Sequence, residues 1–313
     1  MQISATSKKK IQAALKANLA LKKSKDERYT NNRHAFWMDI HPSIYSRVLK
    51  GETERVLADG EWIRIGLKLH VPLDGLNWQT AKTKTFRFIT SQMLACMEHS
   101  AGGMFCDDSS IGKTYAAEEL DLNYPNVALV DCSQSKSWHQ ILRGICRAFG
   151  FNPEGKIRDV RKMLIENIYT LENPIVILDE VGDLPDNVIL ELKGLWNALP
   201  NLLGWYIMGA NGFRVKLKKK LDWQKVGYEE WFNRLGNRVH SLTGRAKPGE
   251  VALGGMSTGE IEIMKRKQIE DIIRINAPNL PDEALFEMVN NCDLNGRRAR
   301  TEILKYNKKG GKK

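Results

Sequence analysis

The octapeptide Asp107-Asp108-Ser109-Ser110-Ile111-Gly112-Lys113-Thr114 and the later run Pro174-Ile175-Val176-Ile177-Leu178-Asp179-Glu180 restrict this chain more than anything else in it. Before the first, Gly103-Met104-Phe105-Cys106 reads as a short buried strand; after it, Thr114 to Leu120 is helix-prone. A tight turn from strand into helix points successive backbone N–H groups into one concavity, which suits phosphate. A lysine there reaches the terminal phosphates, and a Ser/Thr hydroxyl ligates magnesium. Lys113 and Thr114 stand at those positions. Asp108, Ser109, Ser110, Ile111 and Gly112, with Tyr115 just beyond, are the candidate lining of the nucleotide. The pattern G-x-x-x-x-G-K-[ST] has glycine where this chain has Asp107. Aspartate tolerates left-handed backbone better than most residues, but a carboxylate beside phosphates is unfavourable unless it points away.

In the second run, Ile175 to Leu178 has the continuous apolar character of a strand buried on both faces. Its end delivers Asp179 and Glu180 to the carboxyl edge of a parallel sheet, where ligands bind in such folds. Asp179 is the candidate magnesium partner beside Thr114, and Glu180 the candidate that polarises the attacking water. A core strand ending in a solvated acidic pair is the plainer reading; the two segments occurring in this order favour the triphosphatase site. ATP and Mg2+ are the expected cofactors.

Around these motifs, strands and helices alternate from Thr85 onward. Helices are expected from about Phe86 to His99, Ser137 to Phe149, Ile157 to Thr170 and Asp186 to Leu199. Strands are expected at Val127–Asp131 and Gly204–Gly209, a pattern that makes a parallel sheet covered on both faces. Asn211 ends the latter strand, where a polar side chain contacts the terminal phosphate or simply forms a turn. Arg234 closes a helix and Arg238 opens the next strand. An arginine at Arg234 either reaches a neighbouring subunit's nucleotide or forms a surface ion pair. After a glycine-rich stretch to Gly259 the chain is helical at Thr258–Asn276, Asp282–Cys292 and Arg297–Lys305, a small lid. Arg297 and Arg298 begin its last helix, where one folds back over the phosphates.

The N-terminal third is different in kind. Lys9 to Lys23, Asn32 to Met38, Ser43 to Lys50 and Leu57 to Leu69 read as helices, and His70 to Thr83 as a linker. The run from Ile40 to Gly51 has the rhythm of a helix-turn-helix, with Ile40 and Val48 inward and Ser43, Ser46 and Arg47 outward. Such a helix lies in the major groove, so Ser43 and Arg47 are candidate DNA contacts. The residue before Ile40 is usually glycine and here is Asp39. The expected domains are 1–72, 73–255 and 256–313.

Charge supports a polyanionic partner. The net charge is +11 over 313 residues, and it is concentrated: nine Lys/Arg against two acidic residues up to His34, and eight against Glu302 alone from Arg297 onward. A third cluster comprises Arg214, Lys216, Lys218, Lys219, Lys220 and Lys225. Basic patches bind nucleic acid by counterion release, independently of sequence. The loop Ser133–Ser137 offers Lys136 and Ser135 for phosphate contacts. No apolar run approaches the roughly 20 residues of a membrane span, and no signal-peptide core follows Met1. A cytoplasmic place, in a bacterial host cell, is expected. The five scattered cysteines suit buried reduced thiols.

Taken together, the loop, the acidic strand, Asn211, Arg234 and Arg297 resemble the AAA+ ATPases. Within them they resemble the transposition ATPases typified by the B protein of Mu-like transposing phages and its transposon-encoded relatives. The helix-turn-helix of that type is echoed by Asn32 to Leu69. The resemblance implies an α/β P-loop sheet sandwiched by helices, with a helical lid and an N-terminal helical module. It implies Asn211 as sensor 1, Arg234 as arginine finger and Arg297 or Arg298 as sensor 2. It also implies ATP-dependent rings or filaments on duplex DNA that deliver target DNA to a transposase. A helicase loader or replication initiator uses the same parts, and a nucleotide-switched transcriptional regulator is the alternative outside catalysis.

Overall fold

The computed structural model describes residues 3–73, 78–243 and 256–310, with no side-chain statement for 308–310. Part of the expected linker (74–77) and most of the glycine-rich stretch (244–255) lie outside the described residues. So do the first two residues and the last three of the basic tail.

Four helices form the N-terminal module: α1 (Ala5–Lys25), α2 (Asn31–Trp37), α3 (Pro42–Lys50) and α4 (Asp59–Lys68). Helix α3 shows how the local sequence sets its ends. The His41 side chain accepts from the Ser43 N–H, Pro42 takes the first turn where its missing N–H costs nothing, and Gly51 closes the helix at φ 114°. Tyr45 and Val48, three residues apart, are buried against α1 and α2, while Ser43, Ser46 and Arg47 face solvent. Asp39, in the place usually held by glycine, adopts that residue's left-handed conformation at φ 55°. Its carboxylate pairs with Arg147 at 3.0 Å.

The middle of the chain is a four-stranded, all-parallel sheet in the order β1-β4-β3-β2. Its strands are β1 (Gly102–Cys106), β2 (Val127–Asp131), β3 (Ile175–Asp179) and β4 (Gly204–Gly209). Alternate residues feed two cores. Phe105, Ile175, Ile177, Tyr206 and Met208 pack with α5 (Lys84–Glu98) and α6 (Lys113–Asn123). Met104, Val130, Val176, Leu178 and Ile207 pack on the other face, with α7 (Trp138–Ala148), α8 (Ile157–Ile168), α9 (Asp186–Asn197), α10 (Asn211–Asp222) and α11 (Tyr228–Arg234). Burial on both faces is what allows a sheet of such uninterrupted apolar strands.

Two expectations change here. The segment opened by Arg238 is not a strand among the described residues; it makes a single parallel bridge, His240 to Phe105, on the outer edge of β1. The stretch Asn211–Asp222, which carries the lysine cluster except Lys225, is a helix, α10, because Phe213 and Leu217, four residues apart, bury one side of it. The lid comprises α12 (Thr258–Asn276), α13 (Asp282–Asn291) and α14 (Gly296–Gly310), around Ile269, Ile273, Met288, Cys292 and Ile303. Trp78 packs into this lid core. No described helix is long and apolar enough to cross a membrane.

The N-terminal module is locked to the end of α6. Lys22, fully buried, donates to the carbonyls of Asp121 (2.6 Å) and Tyr124 (2.9 Å) and lies 3.8 Å from the Trp37 ring centroid. Asn18 donates to the Leu122 carbonyl at 2.8 Å, and the Trp37 indole to the Asp121 carboxylate at 2.7 Å. His34, also fully buried, joins Tyr45 (2.5 Å) to Asn18 (3.0 Å). Because Asn18 presents its oxygen, the imidazole donates from Nε2 and accepts from the tyrosine at Nδ1, which satisfies the neutral ring.

Burial pushes the His34 imidazole down to about 2 from its ordinary 6.5. With a depressed folded value, its contribution to stability is complete above 6.5 and falls as pH drops below it. Burial likewise pushes Lys22 down to about 7 from 10.5, so its contribution changes above that window. Stability, followed by tryptophan fluorescence in urea, is expected to fall by up to about 1.4 kcal/mol per pH unit between roughly 6.5 and 5. In His34→Gln that slope is expected to flatten, leaving the smaller share from His240, which burial also holds below its ordinary value.

Candidate nucleotide site

Strand β1 ends at Cys106 and the chain turns through Asp107–Gly112 into α6. The left-handed residues of the turn are Ser110 (φ 63°) and Gly112 (φ 99°); Asp107 is not among them. Asp107 instead points away from the loop's concave side and is completely buried. Its carboxylate accepts from the N–H groups of Leu242 (2.5 Å) and Thr243 (3.0 Å) and from the Thr243 hydroxyl. The residue that departs from the usual loop pattern therefore ties the loop's first turn to the segment bridged to β1.

Lys113 is buried, and its ammonium donates to the carbonyls of Asp107 (3.0 Å) and Asp108 (2.6 Å). The Thr114 hydroxyl donates to Asp179 at 2.6 Å, and the other oxygen of that carboxylate accepts from the Glu180 N–H at 3.0 Å. The two residues expected to flank magnesium are thus in direct contact, one hydroxyl and one buried carboxylate, a hard-oxygen pair of the kind that ion takes with water completing its shell. Glu180 sits in left-handed backbone at φ 52°. Burial and then the neighbouring Asp179 raise its carboxyl above the usual glutamate value, in the direction that suits a group accepting a proton from water.

A cavity of about 410 Å³ opens from the loop, within the size range of small-ligand sites. Ser109, Ser110, Ile111, Gly112, Lys113, Thr114, Tyr115 and Glu180 line it from the sheet domain. Trp78, Phe86, Ile269 and Ile272 give it an apolar end, and the lid contributes Lys265, Arg297 and Arg300. Arg300 lies 5.6 Å from the Trp78 ring centroid. Gly296, at the start of α14, approaches the Ser110 carbonyl so closely that a Cβ there would lie 3.0 Å from it. Of the two arginines in question, Arg297 faces the cavity. Arg298 turns away, exposed, to Asp293 at 3.4 Å.

Asn211 opens α10 rather than ending β4, and its amide donates to Asp108 at 2.8 Å. The other Asp108 oxygen pairs with Lys265 at 2.7 Å. Burial alone would raise the Asp108 carboxyl, but the hydrogen bonds it receives and the nearby lysines hold it below the usual aspartate value. Lys265, Trp78 and Arg300 were not among the sequence candidates. Nothing local marks them, since each enters the site only through the packing of the lid.

The remaining candidates lie elsewhere. Arg234 is the last residue of α11, exposed, with its guanidinium 6.0 Å from the Trp196 ring centroid and outside the cavity of its own chain. Lys136 is exposed next to Ser135, in the loop before α7, and pairs with Asp183 at 3.4 Å. Arg47 pairs with Glu52 at 2.7 Å on the outer face of α3, and Ser43 is exposed beside it. The lysine cluster is largely engaged: Lys216 donates to the carbonyls of Gly182 and Leu184, while Lys220 and Lys225 both hold Asp186.

Residues 99–217 match the AAA domain family, a little over a third of the chain. The ORC2 protein of Aeropyrum pernix, solved in ADPNP–ADP complexes, is similar at 17% identity with a TM-score of 0.47. That alignment covers 72% of this chain and 61% of the archaeal one, so less than two thirds of that protein is spanned. No curated protein matches the sequence. The matched segment sits on an AAA+ type of fold: an α/β parallel sheet between helices, with helical N- and C-terminal regions.

Asp107→Gly, which restores the usual loop residue, is expected to destabilise the protein. It strands two buried N–H groups and a hydroxyl, at about 1–3 kcal/mol for an unsatisfied group. Urea unfolding of the two proteins compares them directly; equal midpoints would show that the Asp107 clamp contributes nothing.

Proposed function

We propose that this chain is an ATP-hydrolysing AAA+ protein that assembles on duplex DNA in its triphosphate state. The observation that carries the proposal is helix α6. Its first residues are Lys113 and Thr114 of the phosphate loop, and its last carbonyls are gripped by α1 of the helix-turn-helix module. The phosphate loop at one end and the helical N-terminal module, in this reading the DNA-contacting one, at the other share one short rod.

In this reading, backbone N–H groups of Ser109 to Lys113 and the Lys113 ammonium hold the phosphates. Thr114 and Asp179 hold magnesium, which supplies charge neutralisation when bound. Glu180 takes the proton of the attacking water, and Asn211 orients that water or the terminal phosphate. Arg297 comes over the phosphates from the lid. Arg234, exposed and remote from its own cavity, serves the nucleotide of a neighbouring copy, so hydrolysis depends on assembly. DNA contacts fall on Ser43 and Arg47 of α3, on Lys136 and Ser135, and on the basic face of α1. There Lys9, Lys16 and Lys23 are all exposed at seven-residue spacing, about 10 Å apart along the helix. Such contacts are to phosphate and largely indifferent to sequence.

Within this class the finer reading is a transposition ATPase that selects target DNA and stimulates a transposase, with hydrolysis driving release. The combination of loop, acidic strand, Arg234 and an N-terminal helix-turn-helix supports it. Stimulation of a transposase, as against loading of a helicase, separates it from a replication protein. A nucleotide-indifferent dimer on one operator would mark a regulator.

Glu180→Gln is expected to bind ATP and to form long-lived assemblies on DNA visible by electron microscopy, with hydrolysis reduced at least a hundredfold. DNA complexes as short-lived as wild type would sink hydrolysis-driven release. Arg234→Ala and Lys113→Ala are each expected to be inactive alone and to regain part of the ATPase rate when mixed. No recovery on mixing would place Arg234 outside the neighbour's site.

A further inference from the structure

The phosphate loop contains a carboxylate whose two oxygens are taken by two different parts of the protein. Asp108 Oδ1 accepts from the Asn211 amide at 2.8 Å, at the start of α10, and Oδ2 pairs with Lys265 of lid helix α12 at 2.7 Å. Lys265 lines the cavity, and Asn211, just after β4, reaches the loop through Asp108. The Asn211 side-chain oxygen is buried without a hydrogen-bond partner, so the hydrogen bond its amide N–H donates to Asp108 is what orients the side chain. Lys113 is likewise held by loop acceptors, the carbonyls of Asp107 and Asp108. Lys113, Lys265 and Asn211 thus each donate to an oxygen of the loop itself.

We propose that Asp108 is an internal anion that competes with the terminal phosphate for Lys265 and Asn211, and that this exchange sets the discrimination between nucleoside triphosphate and diphosphate. The proposal rests on the cavity being a nucleotide site. A triphosphate brings a strongly charged group toward the sheet edge, repels the Asp108 carboxylate and offers Lys265 and Asn211 a better acceptor. A diphosphate ends short of them, and Lys265 stays on Asp108. The pair is partly exposed, with side chains 40% and 19% accessible, so the exchange needs no opening of the core. Lys265 lies on the first lid helix, so the exchange changes what the lid holds in each nucleotide state.

The test is calorimetric binding of ADPNP and of ADP, each with Mg2+, to the full chain and to Asp108→Asn, Lys265→Met and the double variant. Asp108→Asn is expected to tighten ADPNP by about fivefold or more, the scale of a modest coupling free energy, and to move ADP less than about twofold. Lys265→Met is expected to weaken ADPNP by about tenfold while sparing ADP, the scale of one charge-assisted hydrogen bond. The gain from Asp108→Asn is expected to disappear in the Lys265→Met background, the signature of two residues acting on one ligand group. Far-UV circular dichroism and the urea midpoint, independent of nucleotide, report that each variant is folded. Equal changes in ADPNP and ADP, or a gain that persists without Lys265, would overturn the proposal while leaving the nucleotide site standing. A wild-type chain that binds neither nucleotide would overturn the site and the proposal together.

Discussion

Helix α6 is held at both ends by groups that have no better partner, and most of the molecule is arranged around that fact. A helix C-terminus leaves carbonyls without intrahelical donors. Here Lys22 and Asn18 supply donors to the carbonyls of Asp121, Leu122 and Tyr124, and Lys22 sits at the negative end of the helix dipole. Desolvating an ammonium is costly, as its lowered value shows, but three things offset the cost: two carbonyls, the Asp121 charge and the face of Trp37. At the other end, Lys113 and Thr114 are fixed by loop carbonyls and by Asp179. With 11 residues the rod is about 16 Å long, so a displacement at either end is felt at the other.

The sheet order does the complementary work. Strand β4 lies between β1 and β3, so the loop after β1 and the acidic pair after β3 are separated by one strand, and Asn211 follows that strand. Parallel strands bring all three to one edge, and the lid, entering through Lys265, Gly296 and Arg297, closes over it. The cavity is therefore a product of topology first and of side chains second.

Much of this was readable because it rests on strong local signals. Continuous apolar runs gave β2 and β4 their limits, Gly-Lys-Thr placed the start of α6, and the Ile40–Gly51 rhythm placed α3 with its inward and outward faces. What escaped depends on contacts distant in sequence. Asp107 looked like a misfit in a phosphate loop and proves to be a clamp on Leu242 and Thr243, more than a hundred residues away. The Phe213–Leu217 pair is a weak signal beside the turn-forming Ala210-Asn211-Gly212 and the lysines that dominate that stretch. The lysines themselves looked like a free patch, whereas Lys216, Lys220 and Lys225 hold the turn after β3 and the start of α9. Lys265 has no local signature at all; only Asp108 identifies it.

The central claim is that nucleotide state and DNA binding communicate through α6. Salt-titrated anisotropy of a fluorescent duplex of arbitrary sequence, with ATP, with ADP and without nucleotide, tests it most directly. Tight, steeply salt-dependent binding with ATP alone, of similar strength on unrelated sequences, is the predicted result. Equal affinity in all three states would contradict the account, because the helical N-terminal module fixed to the phosphate-loop helix would then be insensitive to what that loop holds.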